Sequence, residues 1–155
     1  MRSIPHAGFE DRFAQGNGGE KKNIEMSVFI FPFEKLEVWQ LARDLAGYVL
    51  GLLEKIPSSK HMRLVSQMEG AVTSVSQNIA EGKGRQYKKE FIQFLYISEG
   101  SIFEVVTLNE IFRGRNIFLA EESQEIRKRC EEIDRKLNGL IRTLKGNRKE
   151  SKTAG

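Results

Sequence analysis

Cysteine, histidine and proline are scarce in this 155-residue chain, at one, two and three residues. The lone Cys130 excludes an intramolecular disulfide framework, and His6 and His61 leave little for a metal site. No apolar run approaches the ~20 residues of a membrane span, because charges interrupt every candidate. The first residues also lack the uninterrupted apolar stretch of a signal peptide. The expectation is a soluble intracellular protein without metal or cofactor. Its length is one domain's worth and suffices to bury a core without staples.

What is present is charge, unevenly spread. The net charge is +4. Residues 1–31 carry four basic and four acidic side chains, residues 32–112 nine and ten, and residues 113–155 twelve and seven. The excess therefore lies in the last quarter, which ends in Lys145-Gly146-Asn147-Arg148-Lys149. Basic tails attract nucleic acid or acidic surfaces; the plainer reading is a helix C-terminus whose cations complement the macrodipole. The start of the chain, with Gly16-Asn17-Gly18-Gly19 at its centre, shows no sustained periodicity, which predicts disorder or weak order. Met26 opens the stretch that runs into the folded pattern and is a candidate translation start, which the intact mass of the native protein tests. The expected organisation is a leader over 1–31, a folded unit over 32–146 and a basic tail over 147–155.

Four stretches carry helical spacing. Over 33–56, Val38, Leu41, Leu45, Val49, Leu52 and Ile56 recur at three- and four-residue steps. Pro57-Ser58-Ser59 breaks the pattern and offers a serine cap. Over 59–81 the stripe is Val65, Met68, Val72, Val75 and Ile79, and Gly82-Lys83-Gly84 predicts a left-handed stop. Over 87–113 it is Phe91, Leu95, Ser98, Ile102, Val105, Asn109 and Phe112. Over 120–145, Ile126, Cys130, Ile133, Leu137, Leu140 and Leu144 alternate cleanly. No stretch alternates with period two. The expected fold is all-α, an antiparallel up-down-up-down four-helix bundle.

Two of these helices are more apolar than a solitary bundle requires. The third adds Ile92, Phe94, Ile97, Phe103, Val106 and Ile111 beyond its seam, and the first adds Leu36, Trp39, Leu50 and Leu53. Burying such a side chain contributes roughly 1.5–3 kcal/mol, and large exposed apolar patches usually mark interfaces. A homo-oligomer formed through helices one and three is therefore expected, against the plainer reading of a wide stripe inside one bundle. Glycines inside helices cost about 1 kcal/mol each relative to alanine, so Gly70-Ala71 and Gly100-Ser101 are candidates for tight crossings.

A catalytic constellation is missing. A di-iron bundle needs two Glu-x-x-His pairs, yet Ser58 stands three residues before His61. Cys130 on an apolar seam reads as a space-filling core thiol. Gly82-Lys83-Gly84-Arg85 resembles a phosphate-cradling loop, but it lacks the Lys-Ser/Thr ending and a preceding strand. Lys83, Arg85, Lys88 and Lys89 nevertheless gather at a loop entering a helix, an arrangement suited to phosphate. Glu81 and Glu90 flank that loop and are expected to pair with Arg85 or cap a helix end.

Several runs occur in a telling order: Phe33-Glu34-Lys35-Leu36-Glu37-Val38-Trp39-Gln40, then Ser74-Val75-Ser76-Gln77-Asn78-Ile79-Ala80-Glu81-Gly82, Glu90-Phe91-Ile92-Gln93-Phe94-Leu95 and Gly100-Ser101-Ile102-Phe103-Glu104. The chain resembles the four-helix bundle family of the 23S rRNA-intervening-sequence type, and is distantly similar to retroelement accessory variability proteins. The resemblance implies a bacterial, cytoplasmic homo-pentamer with suspected nucleic-acid binding and no enzymatic activity. Asn78, Glu81, Gly82, Arg85, Glu90, Ser101 and Glu104 match the family signature. Glu69-Gly70 stands where the family usually has a basic pair, and Val106 where it usually has a second glutamate.

The resulting expectation is a non-enzymatic oligomeric scaffold that binds RNA or an RNA-associated protein. Lys83, Arg85, Lys88, Lys89, Arg113, Arg115, Arg142, Lys145, Arg148 and Lys149 are the candidate nucleic-acid contacts. Leu36, Trp39, Leu50, Leu53, Phe94, Ile97, Phe103 and Val106 are the candidate oligomer interface. The rival expectation is a protein-interaction module with no direct nucleic-acid contact.

Overall fold

The computed structural model describes residues 28–150, with side chains as far as residue 146. Most of the expected leader and tail, and the side chains of Arg148 and Lys149, lie outside the described residues. Among the described residues the order is a 3-10 turn (Pro32–Lys35), α1 (Glu37–Leu53), α2 (Met62–Lys83), α3 (Lys88–Gly114) and α4 (Ala120–Glu150), with no strand. Each helix packs on its neighbours in sequence, and α4 closes back onto α1. Short connections over 54–61, 84–87 and 115–119 enforce antiparallel neighbours. The chain is an up-down-up-down four-helix bundle with α1 diagonal to α3.

The seams read from spacing form the core. All seven expected α3 residues, from Phe91 to Phe112, are buried, as are Met68, Val72, Val75 and Ile79 of α2. On α4, Ile126, Cys130, Ile133 and Leu137 are buried; beyond them the inward position passes to Ile141, with Leu140 and Leu144 half-buried. Phe118, in the last connection, stacks on Phe112 at 4.7 Å and plugs the end of the core.

Local punctuation differs from expectation. The first helix is interrupted at Leu36, whose ψ of 119° separates the 3-10 turn from α1. Glu34 closes that turn by accepting the Phe31 N–H at 2.6 Å. No serine caps α2: His61 stands at its start with φ 56°, a left-handed conformation that histidine adopts more readily than most residues. Gly84 ends α2 in the right-handed region, at φ −78°. The fourth helix runs past residue 145 to Glu150, because glycine at Gly146 without a following proline does not stop it.

The crossing glycines are corrected too. A Cβ on Gly70 or Gly100 would meet nothing within 4 Å, so both face outward. Their neighbours Ala71 and Ser101 are the buried partners. The close approach is at Gly82, where a Cβ would lie 2.5 Å from Phe94 Cβ and 3.0 Å from Phe91 Cδ2. Gly82 is there because α3 leaves no room for a side chain.

The expected interface divides in two. On α1, Leu53 is buried in the chain's own core, and Leu36, Trp39 and Leu50 pack against it. The stripe of α1 is wide enough to serve α2 on one side and α4 on the other. On α3, Phe94 and Val106 are half-buried, whereas Ile97, Phe103 and Ile111 stay 51%, 56% and 42% exposed. By length and composition alone α3 is apolar enough to cross a membrane, contrary to the expectation from its interrupting charges. Its buried polar seam of Ser98, Ser101 and Asn109 places it as a helix of the bundle core.

Candidate nucleic-acid interface

Antiparallel order brings four chain segments to one end of the bundle: the start of α1, the end of α2, the start of α3 and the last turns of α4. The connection 84–87 is tight. Gly84 N–H donates to the carbonyls of Ala80 and Glu81 at 3.3 and 3.2 Å, and Arg85 N–H donates to Gly82 O at 3.1 Å. The basic residues around it behave differently from one another. Arg85 pairs with Glu81 one turn back and lies 4.7 Å over the Phe94 ring. Lys83 Nζ lies 5.8 Å from the Phe91 centroid. Lys88 and Lys89 project from the first turn of α3 and make no ion pair among the described residues. Cations at the positive end of a helix dipole oppose helix stability. Glu90 in the same turn is the acidic residue that the dipole favours there.

Arg142 and Lys145 extend this basic surface from α4. Both are exposed, and Lys145 Nζ donates to the Tyr96 hydroxyl at 2.6 Å. Of the carboxylates nearby, Glu34 accepts the Phe31 N–H, Glu37 pairs with Lys136 at 3.0 Å and Glu81 with Arg85, whereas Glu90 stands exposed in the first turn of α3. Arg113 and Arg115 are exposed at the opposite end, where α3 finishes. A helix of 27 residues separates them from the loop by roughly 40 Å. They share no surface with the other candidates.

The signature residues separate into builders and exposed groups. Asn78 Nδ2 donates to Ser74 O and Ser74 Oγ at 2.8 and 2.9 Å, and Ser74 Oγ meets Ser101 Oγ at 2.9 Å. Ser98 Oγ donates to Val75 O at 2.9 Å. Asn78 and Ser101, with Gly82, therefore clamp α2 to α3 and hold the basic loop in place. Ser74 opens the run that carries the resemblance, and its i–4 position relative to Asn78 is what lets the two side chains bond. Glu90 and Glu104 are exposed and make no ion pair among the described residues.

Elsewhere, the single cysteine is buried. Burial pushes the Cys130 thiol up to about 12, so it carries almost no thiolate at neutral pH. Cys130 floors a groove of about 350 Å³ between α3 and α4, rimmed by Phe103, Val106 and Asp134. Burial raises the Asp134 carboxyl above its ordinary value, and the negative, hydrogen-bonded Glu99 beside it adds to the shift. No cluster of three or more metal-ligating side chains occurs among the described residues.

The fold and its clamp define a class of small helical bundle with a basic end. A family model, 23S rRNA-intervening sequence protein, matches residues 34–139, and the chain belongs to that family. The bundle is similar to the 1.70 Å crystal structure of a protein with unknown function from the S23 ribosomal protein family of Bacteroides thetaiotaomicron, with a TM-score of 0.61. The two are 20% identical over 67% of this chain and 97% of that one, a likeness of fold. No curated protein matches the chain.

Proposed function

We propose that the chain is a non-enzymatic, cytoplasmic, oligomeric scaffold that binds RNA through one end of its bundle. The observation that carries this reading is the gathering of Lys83, Arg85, Lys88, Lys89, Arg142 and Lys145 toward a single end, where Lys88 and Lys89 make no ion pair among the described residues. Arg148 and Lys149 follow on the same helix. Contacts of this kind go to phosphate and position the RNA without reading its sequence. The exposed flank of α3 supports self-association, and the ring of five subunits is what the family resemblance implies. Light scattering at micromolar concentration tests this, and Ile97→Ser with Phe103→Ser is expected to lower the solution mass.

The test of binding is fluorescence anisotropy with RNA across a salt series. Affinity is expected to fall steeply with salt, and Lys88→Gln with Lys89→Gln to flatten the slope by about 0.7 per lost single-strand phosphate contact. Arg113→Gln with Arg115→Gln is expected to leave the slope unchanged. No binding at low ionic strength overturns the reading. A second reading, an accessory protein-interaction module, draws on the same α3 flank. A partner retained in a pull-down after nuclease treatment favours it.

A further inference from the structure

The residues just before the bundle form an aromatic series whose purpose the fold does not explain. Phe29 and Phe31 stand two residues apart just ahead of the 3-10 turn, and Phe33 lies within it. The centroids of Phe29 and Phe31 lie 5.1 Å apart, Phe31 and Phe33 5.7 Å, and Phe33 and Trp39 5.1 Å. Arg43 lies 5.4 Å over the Trp39 ring at the inner end. At the outer end Phe29 is 73% exposed and Phe31 53%. The core does not need these two rings, yet Phe31 is fixed by the reciprocal contacts with Glu34: Phe31 N–H to the carboxylate at 2.6 Å and Glu34 N–H to Phe31 O at 3.0 Å.

Position gives the series its meaning. The 3-10 turn that carries Phe33 packs against both α1 and α2. It therefore stands at the end of the bundle where α2 gives way to Lys83, Arg85, Lys88 and Lys89. Rings at the same end as Lys88 and Lys89, which make no ion pair among the described residues, form the combination that holds single strands: the cations follow the phosphates, and each ring offers a face to an unstacked base. A duplex keeps its bases inside the stack and cannot use the rings. Charge complementarity favours a polyanion over an apolar peptide here.

We infer that Phe29 and Phe31 are a base-stacking platform that makes this end of the bundle selective for single-stranded over double-stranded RNA. The inference rests on the RNA-binding reading and adds a preference that the cations alone do not supply.

The experiment uses the full chain with a labelled oligouridylate and an RNA duplex of equal length, read by anisotropy and by the emission of Trp39, the single tryptophan. Wild type is expected to prefer the single strand, with Trp39 emission changing on binding. Phe29→Ser with Phe31→Ser is expected to weaken single-strand binding about tenfold or more, at ~1–3 kcal/mol per stacked base. Duplex affinity and the salt slope should stay unchanged. Phe29→Tyr with Phe31→Tyr should retain the preference, which keeps the test decisive if the serine pair fails to fold. Equal single-strand affinity in wild type and a folded serine pair, with the salt slope intact, overturns the platform and leaves the RNA reading standing. Loss of the preference in the tyrosine pair also overturns it. Unchanged RNA affinity with a lower assembly mass assigns the rings to contact between copies and overturns the platform. Absence of binding to either RNA overturns both.

Discussion

Helices α1 and α3 begin from the same surplus of apolar residues and end in opposite places. On α1 the surplus is absorbed: Leu53 is buried, and Leu36, Trp39 and Leu50 lean on the core. On α3 Ile97, Phe103 and Ile111 remain on the surface. The inner face of α3 is already filled by nine buried residues, three of them polar and all three bonded across the helix pairings: Ser98 and Ser101 to α2, and Asn109 to Ser123 O of α4 at 3.1 Å. Rotating α3 to hide Phe103 would break those hydrogen bonds and bring Leu95, Ile102 and Val105 to the surface, at roughly 1.5–3 kcal/mol for each large side chain exposed. Apolar surplus alone therefore does not identify an interface. Surplus stays on the surface only where the helix's inward face is already committed, as on α3.

That contrast is open to direct measurement. The largest effect is expected from Leu53→Ala, which should lower the unfolding free energy by about 2–5 kcal/mol in chemical denaturation. Phe103→Ala should stay within about 0.5 kcal/mol under conditions where the chain is monomeric. Similar losses for both would erase the distinction between the two flanks.

Next come the glycines. Gly82→Ala forces a Cβ against Phe94 and should cost about 1–3 kcal/mol. Gly100→Ala meets open space on the α3 flank and should stabilise by up to about 1 kcal/mol, read as a higher Tm.

A smaller effect concerns Asp134 at the rim of the α3–α4 groove. Its folded-state carboxyl is raised, mainly by burial, so the folded chain holds the proton more tightly than the unfolded chain. Stability should then decline as pH rises from the ordinary aspartate value through the raised one. Asp134→Asn should flatten that decline in a series of thermal melts, and covering the α3 flank with a partner should steepen it in the native chain. The smallest effect is expected at Arg127, which reaches Glu110 of α3 at 3.1 Å and Glu131 at 3.4 Å while more than half exposed. Arg127→Gln should change stability by about 0–1 kcal/mol, less at high salt.

The spacing of apolar residues predicted four helices, and their inward faces were legible almost residue by residue. Helix ends were less so, because His61, Leu36 and Gly84 are set by how the chain turns between packed helices. For the candidate site, the loop and its pairing of Glu81 with Arg85 could be read in advance. The separation of Arg113 and Arg115 from the other cations could not, since linear charge density does not say which helix ends meet. The aromatic series from Phe29 to Trp39 was missed for a similar reason, as its rings become a unit only when the 3-10 turn folds back toward α1.

By itself the sequence determined the class of fold, the antiparallel order and the family, because helical periodicity and short connections are local properties that packing only reinforces. The tertiary structure alone decided which apolar residues stay on the surface, which glycine admits a neighbouring helix and which basic residues share one end. Those outcomes depend on the rotation of each helix about its axis. That rotation is fixed by contacts such as Gly82 with Phe94 and Ser74 with Ser101, between residues far apart in the chain.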